Sequence, residues 1–151
     1  MKTLAKVLEN IYQADSVVVI SHGLSVRIAD SFARDLQFLD VKAVSLYQDN
    51  MQNYLSKLPE NTFLVGLSLS GETELIVATA LKAKREGQKV LAITGNYESR
   101  LAQQSDLSLF AYQKKASGKI PVDYNNMLPL ELIIHLLIQL YTEYKEQGRI
   151  V

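Results

Sequence analysis

Five short runs rich in branched apolar residues alternate with helix-patterned segments, and no tight hairpin turn joins any two of them. Strands separated by helices need crossover connections, and crossovers make the strands parallel. The runs are Ser16–Ser21, Val41–Leu46, Thr62–Leu69, Val90–Thr94 and Leu107–Ala111. Helical spacing of apolar residues marks Leu4–Tyr12, Val26–Leu39, Met51–Leu58 (weakly), Leu75–Arg85, Ser99–Gln104 and a long terminal helix from about Asn126 to Glu146. Gly87 falls where the helix ending at Arg85 needs a left-handed cap. The expectation is an α/β fold: a doubly wound, five-stranded parallel sheet of order 2-1-3-4-5, flanked by helices on both faces. With 151 residues, no internal repeat and no linker, the whole chain from 1 to 151 reads as one domain. Lys114–Asn126, with Gly118, Pro121 and a Lys114, Lys115 and Lys119 cluster, reads as an exposed loop.

Composition removes several function classes. The sequence has no cysteine, so disulfides, thiolate catalysis and Cys-ligated metal sites are excluded. Sixteen basic residues balance sixteen acidic ones, which leaves no broad positive footprint for nucleic acid or an anionic membrane. The most apolar stretch, Leu128–Leu140, is interrupted by Glu131, His135 and Gln139 and is not a membrane span. Lys2, Lys6, Glu9 and Asp15 break up the N-terminus in the same way, so no signal peptide is read there and a cytoplasmic protein is expected. Neither G-x-G-x-x-G nor G-x-x-x-x-G-K-[ST] occurs, so no nucleotide fingerprint is present, and no metal or cofactor is expected.

In a sheet of this order, ligands bind beyond the carboxyl ends of the first and third strands, where strand order reverses. The loops there are Ser21-His22-Gly23-Leu24-Ser25 and Ser68-Leu69-Ser70-Gly71-Glu72-Thr73. Each contains a glycine and hydroxyls and opens a helix. Free backbone N–H groups, the positive helix end and short hydroxyl donors together suit an anion. Ser25, Ser70 or Thr73 could instead serve only as an N-cap. One cap needs one hydroxyl, however, and the second loop offers three within six residues.

The hexapeptide S-L-S-G-E-T resembles the S-x-S-G-x-T phosphate loop of the sugar isomerase (SIS) domain family. Leu91-Ala-Ile-Thr-Gly95, followed by Ser99, Leu101, Ala102 and Asp106, is similar to that family's fourth-strand region. The resemblance covers nearly the whole chain. It implies a phosphorylated sugar as ligand, with Ser68, Ser70, Gly71 and Thr73 around the phosphate and Gly23 and Ser25 joining from the first loop. The family's first loop usually reads G-x-G-x-S, and Ser21 stands here in place of its first glycine.

Aldose–ketose isomerisation needs a base to carry a proton between adjacent carbons. His22 stands at the mouth of the expected site, as a catalytic group or as a polar loop residue in contact with substrate. Glu72 is explained by the helix dipole alone. Glu131 opens an apolar stretch, and burial there would raise its pKa to suit proton transfer. Some small phosphohexulose isomerases resemble this chain in carrying a glutamate at the start of the last helix. His135 lies one turn further on the same face, and an ordinary helix with His135 in a dimer interface accounts for both residues equally well. The chain is also similar to the sensing domain of RpiR-type transcriptional regulators, without their helix-turn-helix. A homodimer or higher oligomer through the first and last helices is expected, because the last helix is apolar on more than one face.

Overall fold

The computed structural model describes residues 2–111 and 127–148, so the expected loop at Lys114–Asn126 lies outside the described residues. Helix α1 (Lys2–Gln13) leads into β1 (Ser16–Ile20), then α2 (Val26–Phe38), β2 (Ala43–Leu46), α3 (Met51–Leu55) and β3 (Thr62–Leu67). There follow α4 (Glu74–Arg85), β4 (Lys89–Thr94), α5 (Arg100–Gln104), β5 (Leu107–Phe110) and α6 (Leu128–Gln147). All the strands pair in parallel in one five-stranded sheet of order β2-β1-β3-β4-β5. The fold expected from the alternation of strands and helices is the one observed.

Burial explains why the strand runs are apolar throughout. Every residue of β1 and β3 is buried, as is all of β4 after Lys89, because helices cover both faces. Side chains of alternating direction feed two separate cores. Val17, Val19, Phe63, Val65, Leu91 and Ile93 pack under α1, α2 and α6. Val18, Ile20, Leu64, Val90 and Ala92 pack under α3, α4 and α5. Among the described residues, no helix is long and apolar enough to cross a membrane.

Several boundaries, such as the start of β2 and the end of β3, fall two residues inside the expected ones, for identifiable reasons. The second strand starts at Ala43, not Val41, because α2 ends in a Schellman turn. There the Asp40 N–H donates to Gln37 O (3.1 Å) and the Val41 N–H to Leu36 O (3.0 Å). Asp40 occupies the left-handed position, φ 63°, that glycine usually fills. Helix α4 closes with the same pair of bonds around Gly87, φ 82°, as its sequence predicted. Strand β3 stops at Leu67, because Ser68 already belongs to the loop that follows.

Helix α6 lies alongside α2, with both N-termini at the carboxyl end of the sheet. Arg27 Nη2 meets Glu131 Oε1 at 3.0 Å near one end of the pair. At the other end, Lys145 Nζ donates to Leu39 O at 2.6 Å and pairs with Asp40 Oδ2 at 2.9 Å. The rings of Tyr12 and Tyr144 meet edge to face at 5.7 Å, which joins α1 to the same layer. On the opposite face, Asp106 accepts from the Val90 N–H (2.8 Å) and pairs with Lys84, tying the α5–β5 turn to β4 and α4. Burial pushes the Asp106 carboxyl up, but the bonds from Lys84 and the Val90 amide outweigh it and hold the group below its ordinary value.

Candidate functional site

The chain leaves β1 and β3 on either side of the sheet's reversal point, and both following loops sit at the carboxyl ends of these strands. In the first loop, Ser21 is buried and donates its backbone N–H to Leu46 O at 3.1 Å. His22 is extended (φ −151°) and exposed, Gly23 turns at φ 64°, and Gly23–Ser25 forms a single 3-10 turn. The buried Ser25 hydroxyl donates back to His22 O at 3.0 Å and does not cap α2.

The second loop carries the denser arrangement. Buried Ser68 accepts the Gly71 N–H on its Oγ at 3.0 Å, and the same hydroxyl lies 3.0 Å from Thr73 Oγ1. Ser70 is exposed, and its Oγ accepts the Glu72 N–H at 3.1 Å. Thr73 sits at the N-cap position of α4, yet neither it nor its neighbours cap the helix with a side chain. The first-turn N–H groups of α4 have no partner within the helix, so this positive end is left open after a loop whose three hydroxyls bond within the loop. The simple-capping reading of Ser70 and Thr73 therefore does not hold.

Gly71 is fixed by geometry on two counts. Its φ is 69°, and a Cβ built on it would lie 2.1 Å from Ser99 Oγ and 2.9 Å from Thr94 Oγ1. The loop is stitched to the next strand and helix. The Gly95 N–H donates to Leu69 O (2.9 Å), Thr94 Oγ1 donates to the same carbonyl (3.3 Å), and the Leu101 N–H donates to Gly71 O (3.1 Å). Ser99 is fully buried and accepts the Ala102 N–H at 3.2 Å, so the surface against which Gly71 packs is itself held in place.

Glu72 takes a different part from that expected of an acid beside a helix dipole. Its Oε1 accepts the Arg100 backbone N–H (3.0 Å) and its Oε2 the Arg100 Nε–H (2.6 Å). Those bonds, with the side-chain one foremost, hold its carboxyl below the usual range. Glu131 also departs from expectation. It is half-buried, and an ion pair with Arg27, not an apolar shell, surrounds its carboxylate. Glu131 and exposed His135 line a cleft of about 260 Å³ between α2 and α6, together with Arg27, Ile28, Ser31 and Ile134. Through Arg27, two residues past Ser25, the start of α6 reaches the helix that the first loop opens. Among the described residues, no cluster of three His, Asp or Glu side chains could hold a metal ion.

The model of the SIS domain matches residues 10–123. The chain belongs to the SIS domain family. It is similar to the glutamine–fructose-6-phosphate aminotransferase (isomerizing) of Sulfurisphaera tokodaii, at 29% identity over 105 residues, which is 70% of this chain and 18% of that enzyme. It is similar also to the HTH-type transcriptional regulator GlvR of Bacillus subtilis, at 26% identity over 150 residues, 96% of this chain and 58% of the regulator. This SIS chain thus spans only part of either relative. Among solved structures, the Vibrio vulnificus NanR protein complexed with ManNAc-6P shares the fold, with a TM-score of 0.80, 23% identity, and 96% of this chain and 57% of that one covered.

Gly71→Ala should destabilise the domain by roughly 2–4 kcal/mol in urea unfolding, because left-handed backbone strain adds to the collision with Ser99. Gly23→Ala, with nothing within 4 Å of the new methyl, should lose only the strain, about 1–2 kcal/mol. Equal losses at the two positions would show that the packing of Gly71 on Ser99 is unimportant.

Proposed function

We propose that the chain binds a phosphorylated sugar at the β1–β3 reversal point. Ser68, Ser70, Thr73 and the backbone around Gly71 meet the phosphate, while Gly23, Ser25 and His22 face the sugar. The observation that carries this reading is the uncapped N-terminus of α4 beside three hydroxyls, none of which is spent on capping it. An anion at that point gains N–H donors, the helix dipole and short O–H donors together. NanR, a SIS relative in fold, is known with ManNAc-6P bound, and the aminotransferase relative bears fructose 6-phosphate in its name. A phosphate ester held this way should bind with micromolar to low-millimolar affinity, on the order of 4 to 8 kcal/mol. Ser70→Ala removes one hydrogen bond to a charged group, so calorimetry with a panel of sugar phosphates should record about 10- to 100-fold weaker binding. Unchanged affinity would remove Ser70 from the phosphate site.

Two uses of such a site remain in competition. As an isomerase, the chain would hold an open-chain sugar while a base takes the proton from the carbon beside the carbonyl and returns it to the former carbonyl carbon. A second proton moves between the two oxygens, so aldose and ketose exchange without loss or gain of atoms. Glu131 is our candidate for the base. Its carboxylate lines the α2–α6 cleft with a single partner, Arg27, two residues past Ser25, whereas both carboxylate oxygens of Glu72 are taken up by Arg100. As a sensor, the same pocket would only report the ligand, a reading favoured by the match to GlvR along 96% of this chain. Incubation with bound sugar phosphates in deuterated water separates the two. Exchange at the carbon beside the carbonyl, abolished by Glu131→Gln, is expected of the enzyme. Exchange that survives Glu131→Gln and disappears in Glu72→Gln would put the base at Glu72, and no exchange with any bound sugar would favour the sensor.

We also propose a homodimer. Leu132 and Leu136 stand one turn apart on α6, both exposed, on a helix whose opposite side is already buried through Leu130, Ile134 and Leu137. Light scattering at micromolar concentration should give twice the chain mass, and a monomer there would contradict the pairing.

A further inference from the structure

The loop proposed to receive a phosphate also carries two acids. Glu72 lies within it and Glu74 opens α4, and both are exposed. Unpaired, two negative charges beside the same helix terminus would oppose an incoming anion. One cation meets them both. Arg100, the first residue of α5, donates from Nε to Glu72 Oε2 at 2.6 Å and from Nη2 to Glu74 Oε1 at 2.6 Å. Its Nη2 also reaches Glu72 O at 3.3 Å, and its backbone N–H reaches Glu72 Oε1 at 3.0 Å. The planar guanidinium suits this fork, where a lysine would offer only a point charge.

We propose that Arg100 is a positioning residue of the anion site: it neutralises and ties down Glu72 and Glu74, so that the loop attracts a doubly charged phosphate ester. The proposal rests on the phosphosugar reading above. The lowered pKa of Glu72 agrees with it, since the bonds from Arg100 favour the charged carboxylate. Ion pairs this exposed contribute little to folding. The expected effect of Arg100 is therefore on the field at the ligand more than on stability.

The test is calorimetric titration of the whole chain with fructose 6-phosphate and with inorganic phosphate. Arg100→Gln should weaken binding by about three- to tenfold at low salt, and the loss should shrink at about 0.5 M salt, where exposed charges are screened. Adding Glu74→Gln to Arg100→Gln should restore most of the affinity, which a purely structural role of Arg100 would not allow. If Arg100→Gln fails to fold, Glu74→Gln alone carries the test and should tighten binding by about twofold. Wild-type affinity in Arg100→Gln, a loss that neither Glu74→Gln nor salt reduces, or no tightening where Glu74→Gln stands alone overturns the proposal. If the wild type binds and Ser70→Ala does not while Arg100→Gln is unchanged, only the role of Arg100 falls. If the wild type binds neither probe, the phosphosugar reading falls with it.

Discussion

Everything at the site depends on the parallel pairing of β1 with β3. The register runs from Ser16 opposite Thr62 to Ile20 opposite Gly66, and it brings two loops more than forty residues apart in sequence to the same end of the sheet. Because β2 lies on the other side of β1, the chain reverses its direction of travel across the sheet at this pair. A reversal point of this kind is where open α/β sheets generally form a ligand crevice, and it is a property of topology, not of any single residue. Gly66 contributes at the same place. A Cβ there would sit 3.4 Å from both Ile76 and Leu101, so the missing side chain lets α4 and α5 approach β3 closely.

From that pairing the rest follows in layers. Helix α4 begins where β3 ends, so its N–H groups face the crevice, and Gly71 supplies the one backbone turn that permits it. Ser99 and Thr94 lie so close behind Gly71 that the loop has little room to move, which prepays part of the ordering that an anion would otherwise demand. The helices of the other face do comparable work at the first loop. Arg27–Glu131 and Lys145–Asp40 fasten α6 to α2 at both ends, and so place a carboxylate and an imidazole on a cleft against α2, the helix opened by the loop that carries His22 and Ser25.

Much of this was legible in the sequence, because the controlling signals are local. Branched apolar blocks such as Val17–Ile20 declare strands buried on both faces, and S-L-S-G-E-T announces within six residues the hydroxyl-rich turn that leads into α4. What the sequence hid are contacts between distant positions. Nothing about Arg100 marks it as the partner of Glu72, 28 residues away, and nothing about Glu131 marks Arg27. The apolar neighbours of Glu131 in sequence suggested burial, but on a helix those neighbours point elsewhere: Leu130 and Ile134 go into the core, while Glu131 turns toward α2. Asp40 concealed a helix stop for a related reason. It takes a conformation usually left to glycine, with Lys145 reaching across from α6 to the same turn.

The assignment of the phosphate to the Ser68–Thr73 loop is tested most directly by a crystal structure of the chain with a sugar phosphate bound. The phosphate oxygens should lie within hydrogen-bonding distance of the Ser68, Ser70 and Thr73 hydroxyls and of the first N–H groups of α4, with the sugar directed toward Gly23 and Ser25. A phosphate held instead between Arg27 and His135 in the α2–α6 cleft, with no ligand atom on the loop, would contradict it.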